Sequence, residues 1–202
     1  MLQVENLNKS FGSKQVLFDI NFKADNGKIL GLIGKNGSGK TTLFHSILKF
    51  VKYQGKITID GHSFSSRDYN SVGYLPEERS LMPKLTVLEQ VSFLASLKGM
   101  KKDEVKHDLQ DWMKKLEVKG QITDKIKSLS KGNQQKIQLI ATLIHQPNLI
   151  ILDEPFSGLD PVNVEIIKEV ILQEKKRGAT ILFSDHDMSN VEELCDDVVM
   201  IN

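Results

Sequence analysis

Val16, Phe18, Ile20 and Phe22 alternate with more polar neighbours, and GKITIDG at 55–61 sets Ile57 and Ile59 on one side between two glycines. A period of two bounded by glycine predicts strands, so the opening of the chain reads as an antiparallel β layer with each apolar set on one face. KILGLIG, residues 28–34, is a short continuous apolar run ending in glycine, the pattern of a parallel strand buried on both faces. LIILD at 149–153 and TILFSDH at 180–186 repeat that pattern towards the other end. Between these sets the period lengthens. TVLE at 86–89 has the spacing of a capping box, and Val105, Leu109, Trp112 and Leu116 recur at helical intervals, which predicts a mostly helical insert over 81–146. The insert closes with a helix-forming run, Asn133 to Gln146, for which Ser130 or Asn133 is the N-cap. An amphipathic helix opens at Asp160–Pro161, where proline suits the first helical position. No repeat, low-complexity tract or flexible linker breaks the chain. The expectation is one α/β domain over 1–202, with its core and β layer drawn from 1–80 and 147–202.

With 202 residues, 40% of them hydrophobic, the chain can bury a real core within a single domain. Charge narrows the partners. Lys and Arg number 27 against 26 Asp and Glu, so a net charge of +1 gives no electrostatic reason to expect nucleic acid or anionic lipid. Arg67, Arg79 and Arg177 are the only arginines, and the lysines of 98–106 and 114–119 alternate with acids and apolar residues, as on solvated helix faces. Cys195 stands alone, which excludes an intrachain disulfide and a cysteine zinc cluster and fits a reducing compartment. Residues 1–12 lack the apolar centre of a secretory signal, and no run approaches the roughly 18 apolar residues that span a bilayer. For a protein of this kind working at a membrane, another chain is expected to do the spanning.

The chemistry starts at Gly34-Lys35-Asn36-Gly37-Ser38-Gly39-Lys40-Thr41, which matches GxxxxGK[ST] between a buried strand and the helix TTLFHSILKF. Glycines there let backbone N–H groups close around a β-phosphate, the lysine meets β and γ oxygens, and the Thr41 hydroxyl is a Mg²⁺ ligand. Thr42 reads as first-turn packing with a minor phosphate contact. Asp153 ends the strand LIIL at the carboxyl edge of the sheet, where open α/β sheets bind ligands, and is the expected second metal ligand. Glu154 follows it and is the expected base for an attacking water. LSKGN at 129–133 offers a second anion site, a helix N-terminus with unpaired N–H groups; taken alone, an ordinary cap is the better explanation.

Taken in order, Phe11, the P-loop, YLPEE at 74–78, LSKGNQQ, LIILDEP, SGLD at 157–160 and His186 resemble the elements of the ATP-binding cassette (ABC) family, and among its members the separate ATPase subunits of ABC-2-type exporters. The resemblance spans nearly the whole chain. It implies a P-loop NTPase core of RecA type with an antiparallel β layer and a helical subdomain that carries the LSGGQ-like signature. It also implies ATP hydrolysis with Mg²⁺, coupled to transport, with export the expected direction. By the same token Phe11 stacks on adenine, Glu77 joins Thr41 and Asp153 at the metal, and His186 reaches the γ-phosphate. Ser130, Gly132 and Asn133 contact the ATP of a partner in a head-to-tail dimer, homomeric or with a related subunit, and Asp160 crosses the dimer interface. The membrane-spanning permease is a separate chain, received in the groove near Glu77 to Leu88, and holds the subunit at the inner face of the cell membrane on the cytoplasmic side. The alternative is a soluble ATPase of the same class acting on ribosomes or DNA. Three positions depart from the pattern: Glu77 stands for glutamine, Lys131 for a glycine and Asn133 for the signature glutamine. Asp185, beside His186, is an unexplained negative charge. His45, His62, His107, His145 and Cys195 match no motif and are read as structural. The chain stops at Asn202, where relatives usually continue, so a missing tail is an expectation.

Overall fold

The computed structural model describes residues 1–202, and its first layer is the expected antiparallel one. β1 (Leu2–Phe11) and β2 (Lys14–Ala24) make a hairpin; after β3 (Ile29–Ile33) and α1 (Lys40–Ile47), β4 (Gln54–Ile59) and β5 (His62–Ser63) join it in the order β2-β1-β4-β5. Ile57 is buried and Ile59 half-buried, as expected, although Thr58 on the opposite face is covered too. The face expected for Val16, Phe18, Ile20 and Phe22 is broken, however. Leu17 is fully buried and Phe18 is 58% exposed. The cause is a bulge: Asp19 takes a left-handed conformation with φ of 48°, and the β1–β2 register shifts between Leu7 and Lys9. One extra residue reverses which alternate positions face inward. The bulge is tied down by Asn6 Nδ2, which donates to Asp19 Oδ1 at 2.9 Å.

The second layer is a parallel sheet. After a 3₁₀ turn at 66–71 come β6 (Val72–Leu75), α2 (Val87–Ser96), α3 (Lys102–Lys115), α4 (Lys131–Leu143), β7 (Leu149–Asp153), α5 (Pro161–Arg177), β8 (Thr180–Ser184), α6 (Met188–Leu194) and β9 (Asp197–Met200). Its strand order is β6-β7-β8-β3-β9. Every residue of β7 and β8 is buried, which explains their unbroken apolar runs. Alternate residues feed two cores. Leu149, Ile151, Leu182, Leu30 and Leu32 pack with α1 and the antiparallel sheet, whereas Ile150, Leu152, Ile181, Phe183 and Ile29 pack with the helices of the other side. That second cluster runs on without a break through Val87 and Val91 of α2, Val105 and Leu109 of α3 and Ile137 of α4.

The helix starts follow the local chemistry. Thr86 caps α2, and Glu89 returns the bond to the Thr86 N–H, completing the predicted box. α4 begins at Lys131 with Ser130 as its N-cap, two residues before the expected run, because the Ser130 hydroxyl accepts from Asn133 N–H at 3.3 Å. Asp160 caps α5 by accepting from Asn163 N–H at 3.1 Å. These strands and caps bring the carboxyl ends of β3, β7 and β8 side by side, the edge at which such sheets hold ligands.

Candidate functional site

The loop 34–39 leaves β3 and enters α1 in a shape that only its glycines permit. A Cβ on Gly34 would lie 2.4 Å from the Ile201 carbonyl oxygen and 2.5 Å from Ser38 Oγ, and Gly39 sits at φ 107°. Gly39 is also the N-cap of α1 and supplies no capping side chain, so the first-turn N–H groups face the loop unclaimed by the helix itself. Lys40 is buried and its Nζ donates to the Gly34 carbonyl at 2.8 Å, closing the loop on itself. Ser38 Oγ is buried without a partner. A cavity of about 320 Å³ opens over this loop, lined by Val16, Asn36, Gly37, Gly39, Lys40, Thr41, Thr42, Glu77 and Glu154. A cradle of N–H donors opened by three glycines, with an ammonium group and an unpaired hydroxyl, fits a polyphosphate.

Two acids line the cavity, Glu77 after β6 and Glu154 after β7, and Asp153 is bonded to Thr41 of the same lining. Asp153, at the end of β7, accepts from Thr41 Oγ1 at 2.8 Å and from Ser184 Oγ at 2.7 Å. Ser184 belongs to no sequence motif; its place comes from ending β8 in register with Asp153. Its hydroxyl and carbonyl also accept from Glu154 N–H, at 3.2 and 3.1 Å, and fix that residue in a left-handed conformation with φ of 50°. The Glu154 carboxylate then meets His186 Nδ1 at 3.0 Å. Glu77 is exposed, and its carboxyl is held above the usual range, first by the charge of Glu154, then by burial and Asp153. The Tyr74 phenol is pushed up by burial and by Asp153 and Glu77. No group of three or more His, Cys, Asp or Glu forms a metal cage here. A Mg²⁺ ion shared with phosphate oxygens needs only one or two carboxylates, and the Thr41–Asp153 pair has the right hard-oxygen chemistry.

Other expected site residues stand outside this cavity. Phe11 lies at the end of β1, 50% exposed, with Lys9 Nζ 4.4 Å from its ring centroid. Lys35 is exposed in the loop, its carbonyl accepting from Ser38 N–H at 3.0 Å. Ser130 and Asp160 are exposed helix caps, and a Cβ on Gly132 would meet Asn163 at 3.3 Å. Asn133 spends its amide on its own chain, accepting from Lys119 N–H at 3.1 Å and donating to Lys119 O at 3.2 Å. Asp185 now has an explanation. It is buried and accepts from Asp187 N–H at 2.9 Å and Asn190 Nδ2 at 3.0 Å, so its charge fastens the turn into α6.

The histidines outside the motifs all have local settings except His107, which is exposed: His45 meets the Tyr74 hydroxyl at 3.2 Å, His62 meets Asp68 at 2.9 Å and His145 meets the Val72 carbonyl at 3.2 Å. Burial and neighbouring Asp196 push the Cys195 thiol up to about 12, as suits an inert packed group.

A family model described as "ABC transporter" matches residues 17–157, a span that takes in both the phosphate loop and the paired acids. The chain belongs to the ABC transporter family. It is 44% identical over its whole length to the ABC transporter ATP-binding protein YhaQ of Bacillus subtilis, covering 68% of that protein. It is 33% identical to the lipopolysaccharide export system ATP-binding protein LptB of Haemophilus influenzae, over 97% of this chain and 84% of that one. A solved structure described as "Structure of ATP binding subunit of ABC transporter" superposes with a TM-score of 0.91 at 30% identity, covering all of this chain and 86% of the other. The fold is thus that of the ABC ATP-binding subunits, and this ABC chain is an ATPase. None of its helices is long and apolar enough to cross a membrane.

Proposed function

We propose that this ABC subunit, one ATPase domain over 1–202 with a helical lobe over 81–146, binds ATP and Mg²⁺ and powers export through a separate membrane-spanning permease. The export direction is supported by the similarity to LptB, whose own name is that of an export subunit. One observation carries the catalytic reading: Glu154 lines the phosphate-loop cavity together with Thr41, whose hydroxyl is bonded to Asp153. Lys40 turns from the Gly34 carbonyl to the β and γ oxygens, while the 34–39 N–H groups hold the β-phosphate. Phe11 stacks on the adenine. Thr41, Asp153 and Glu77 would hold Mg²⁺, which when bound would neutralise charge on the phosphate oxygens. Glu154 takes the proton of the attacking water, and His186 moves from Glu154 to the γ-phosphate.

Ser130, Gly132 and Asn133 lie outside the cavity of their own chain, which supports a role toward the ATP of a second copy or a related subunit paired head to tail, with Asp160 at that interface. An exposed N-cap can serve an anion and its helix together. The permease docks near Glu77 to Leu88 and holds the subunit at the inner face of the cell membrane. The near-neutral charge supports no nucleic-acid partner. The test is direct: the purified chain should hydrolyse ATP only with Mg²⁺, and Lys40→Ala should lose nucleotide binding. Full nucleotide affinity in Lys40→Ala would overturn the assignment of the loop.

A further inference from the structure

The helix that carries Ser130 at its cap also reaches the loops of its own ATP site through one buried face. Gln135 Nε2 donates to the Pro155 carbonyl at 3.0 Å, next to Glu154. Gln138 Nε2 donates to Pro76 O at 3.4 Å and Glu78 O at 3.3 Å, the two carbonyls that flank Glu77. Thr142 Oγ1 donates to the Gln138 carbonyl of its own helix at 2.9 Å, with Tyr74 O farther off at 3.5 Å. Positions 135, 138 and 142 fall on one side of a helix. Gln138 is distinctive among them. It is only 3% exposed, and its Oε1 is buried with no partner. The amide can point only one way, because an oxygen turned toward Pro76 and Glu78 would meet two carbonyl oxygens. A residue serving merely to fill this space would do so better as methionine, which leaves no buried acceptor unpaired. The amide forgoes a bond at one end to hold both sides of Glu77 at the other. The next hydrogen bond on that segment is from Met82 N–H, which donates to Gln90 Oε1 at 2.7 Å, so Gln138 supplies the only side-chain hydrogen bonds from α4 to 76–78.

We propose that Gln138 is a positioning residue that fastens the loop carrying Glu77 to the helix carrying Ser130, so that the two move as one piece. A shift of α4 at the site of one nucleotide is then passed to a carboxylate at the site of the other. The proposal rests on the reading of Glu77 as a Mg²⁺ ligand, but its first test does not. In the nucleotide-free full chain, Gln138→Met and Gln138→Leu should each speed cleavage after Glu77, Glu78 and Arg79 in limited proteolysis by about tenfold or more, with amide exchange of α4 and the melting temperature near wild type. Both keep a side chain of similar size and remove the donors. Unchanged cleavage in both variants, or amide exchange raised throughout α4, would sink the clamp.

The second test measures how much Mg²⁺ half-saturates binding of a fluorescent ATP analogue. Gln138→Met should raise that requirement several-fold in the wild-type background and leave it unmoved in Glu77→Ala. An equal rise in both backgrounds would show that Gln138 acts elsewhere. If Glu77→Ala alone leaves the Mg²⁺ requirement unchanged, the assignment of Glu77 to the metal fails, and the proteolysis result still decides the clamp.

Discussion

His186 Nδ1 lies 3.0 Å from Glu154 Oε2, so the histidine and the carboxylate engage each other across the ends of adjacent strands. The ring is largely exposed and the carboxylate almost enclosed, which makes His186 the mobile member of the pair. Nothing in the order of residues along the chain announces this contact. Glu154→Gln should keep ATP binding while losing on the order of 10²- to 10⁴-fold in turnover, the cost of removing a general base. Because the two side chains share one bond, His186→Ala added to Glu154→Gln should cost much less than it does in wild type. Single-turnover rates of the four proteins measure this, and fully additive losses would show that the two residues act independently.

Glu154 also stores backbone strain. Its φ of 50° is left-handed, a conformation that costs a non-glycine residue about 1–2 kcal/mol. Its carboxylate faces Glu77, whose ionisation it opposes. Both effects are relieved together in Glu154→Gly, which should unfold at higher denaturant than wild type by about 1 kcal/mol while being inactive. Urea melts without nucleotide check this, and a destabilised glycine variant would mean that the Glu154 side chain contributes more to the fold than its conformation costs.

How far the sequence disclosed the molecule depends on how local each cause is. The buried runs LIILD and TILFS, the Thr86–Glu89 box and the Asp160 cap are set by residues a few positions apart, and all were legible. Phe18 was not, because the bulge at Asp19 depends on pairing with Asn6 on another strand. Ser184 was overlooked because its importance comes from register with Asp153, not from any motif. Asp185 looked like a charge at the nucleotide because it precedes His186, yet alternate directions along a strand end send neighbours to opposite sides, and it turns to Asn190. Gln138 was hidden for a related reason: its partners, Pro76 and Glu78, are distant in the chain and are backbone groups that carry no sequence signature.

His145 gives the fold an acid weakness. Burial, helped by the charges of Lys98 and Arg177, lowers its imidazole to about 4, and Nδ1 is buried without a partner. In the unfolded chain the same group titrates near about 6.5. Above that value both states are neutral and the residue takes nothing from stability. As pH falls from about 6.5 towards about 4 the unfolded state binds the extra proton, so stability is lost across that window, on the order of 3 kcal/mol in all. His145→Gln, which can still donate to the Val72 carbonyl, should flatten that part of the profile. Urea unfolding of both proteins near neutrality and near pH 5 checks it; parallel profiles would put the acid sensitivity elsewhere.

Ser130 is exposed at the cap of α4 and absent from the lining of the cavity that holds Lys40, so its effect on hydrolysis should fall on the nucleotide of the opposite subunit. Ser130→Arg, which places bulk and charge at the surface, should block ATP-driven dimerisation while leaving nucleotide affinity of the monomer nearly intact. Sedimentation with ATP and Mg²⁺ measures the first, and titration of a fluorescent nucleotide the second. Mixing Ser130→Arg with Lys40→Ala gives the sharper case. In each heterodimer one site combines the arginine of one chain with the defective loop of the other, and the second site combines an intact loop with an intact cap. That second site should restore part of the ATPase activity that each variant lacks alone, provided a single working site suffices for turnover. Loss of ATP binding in isolated Ser130→Arg monomers would instead place the serine in the site of its own chain and end the head-to-tail reading.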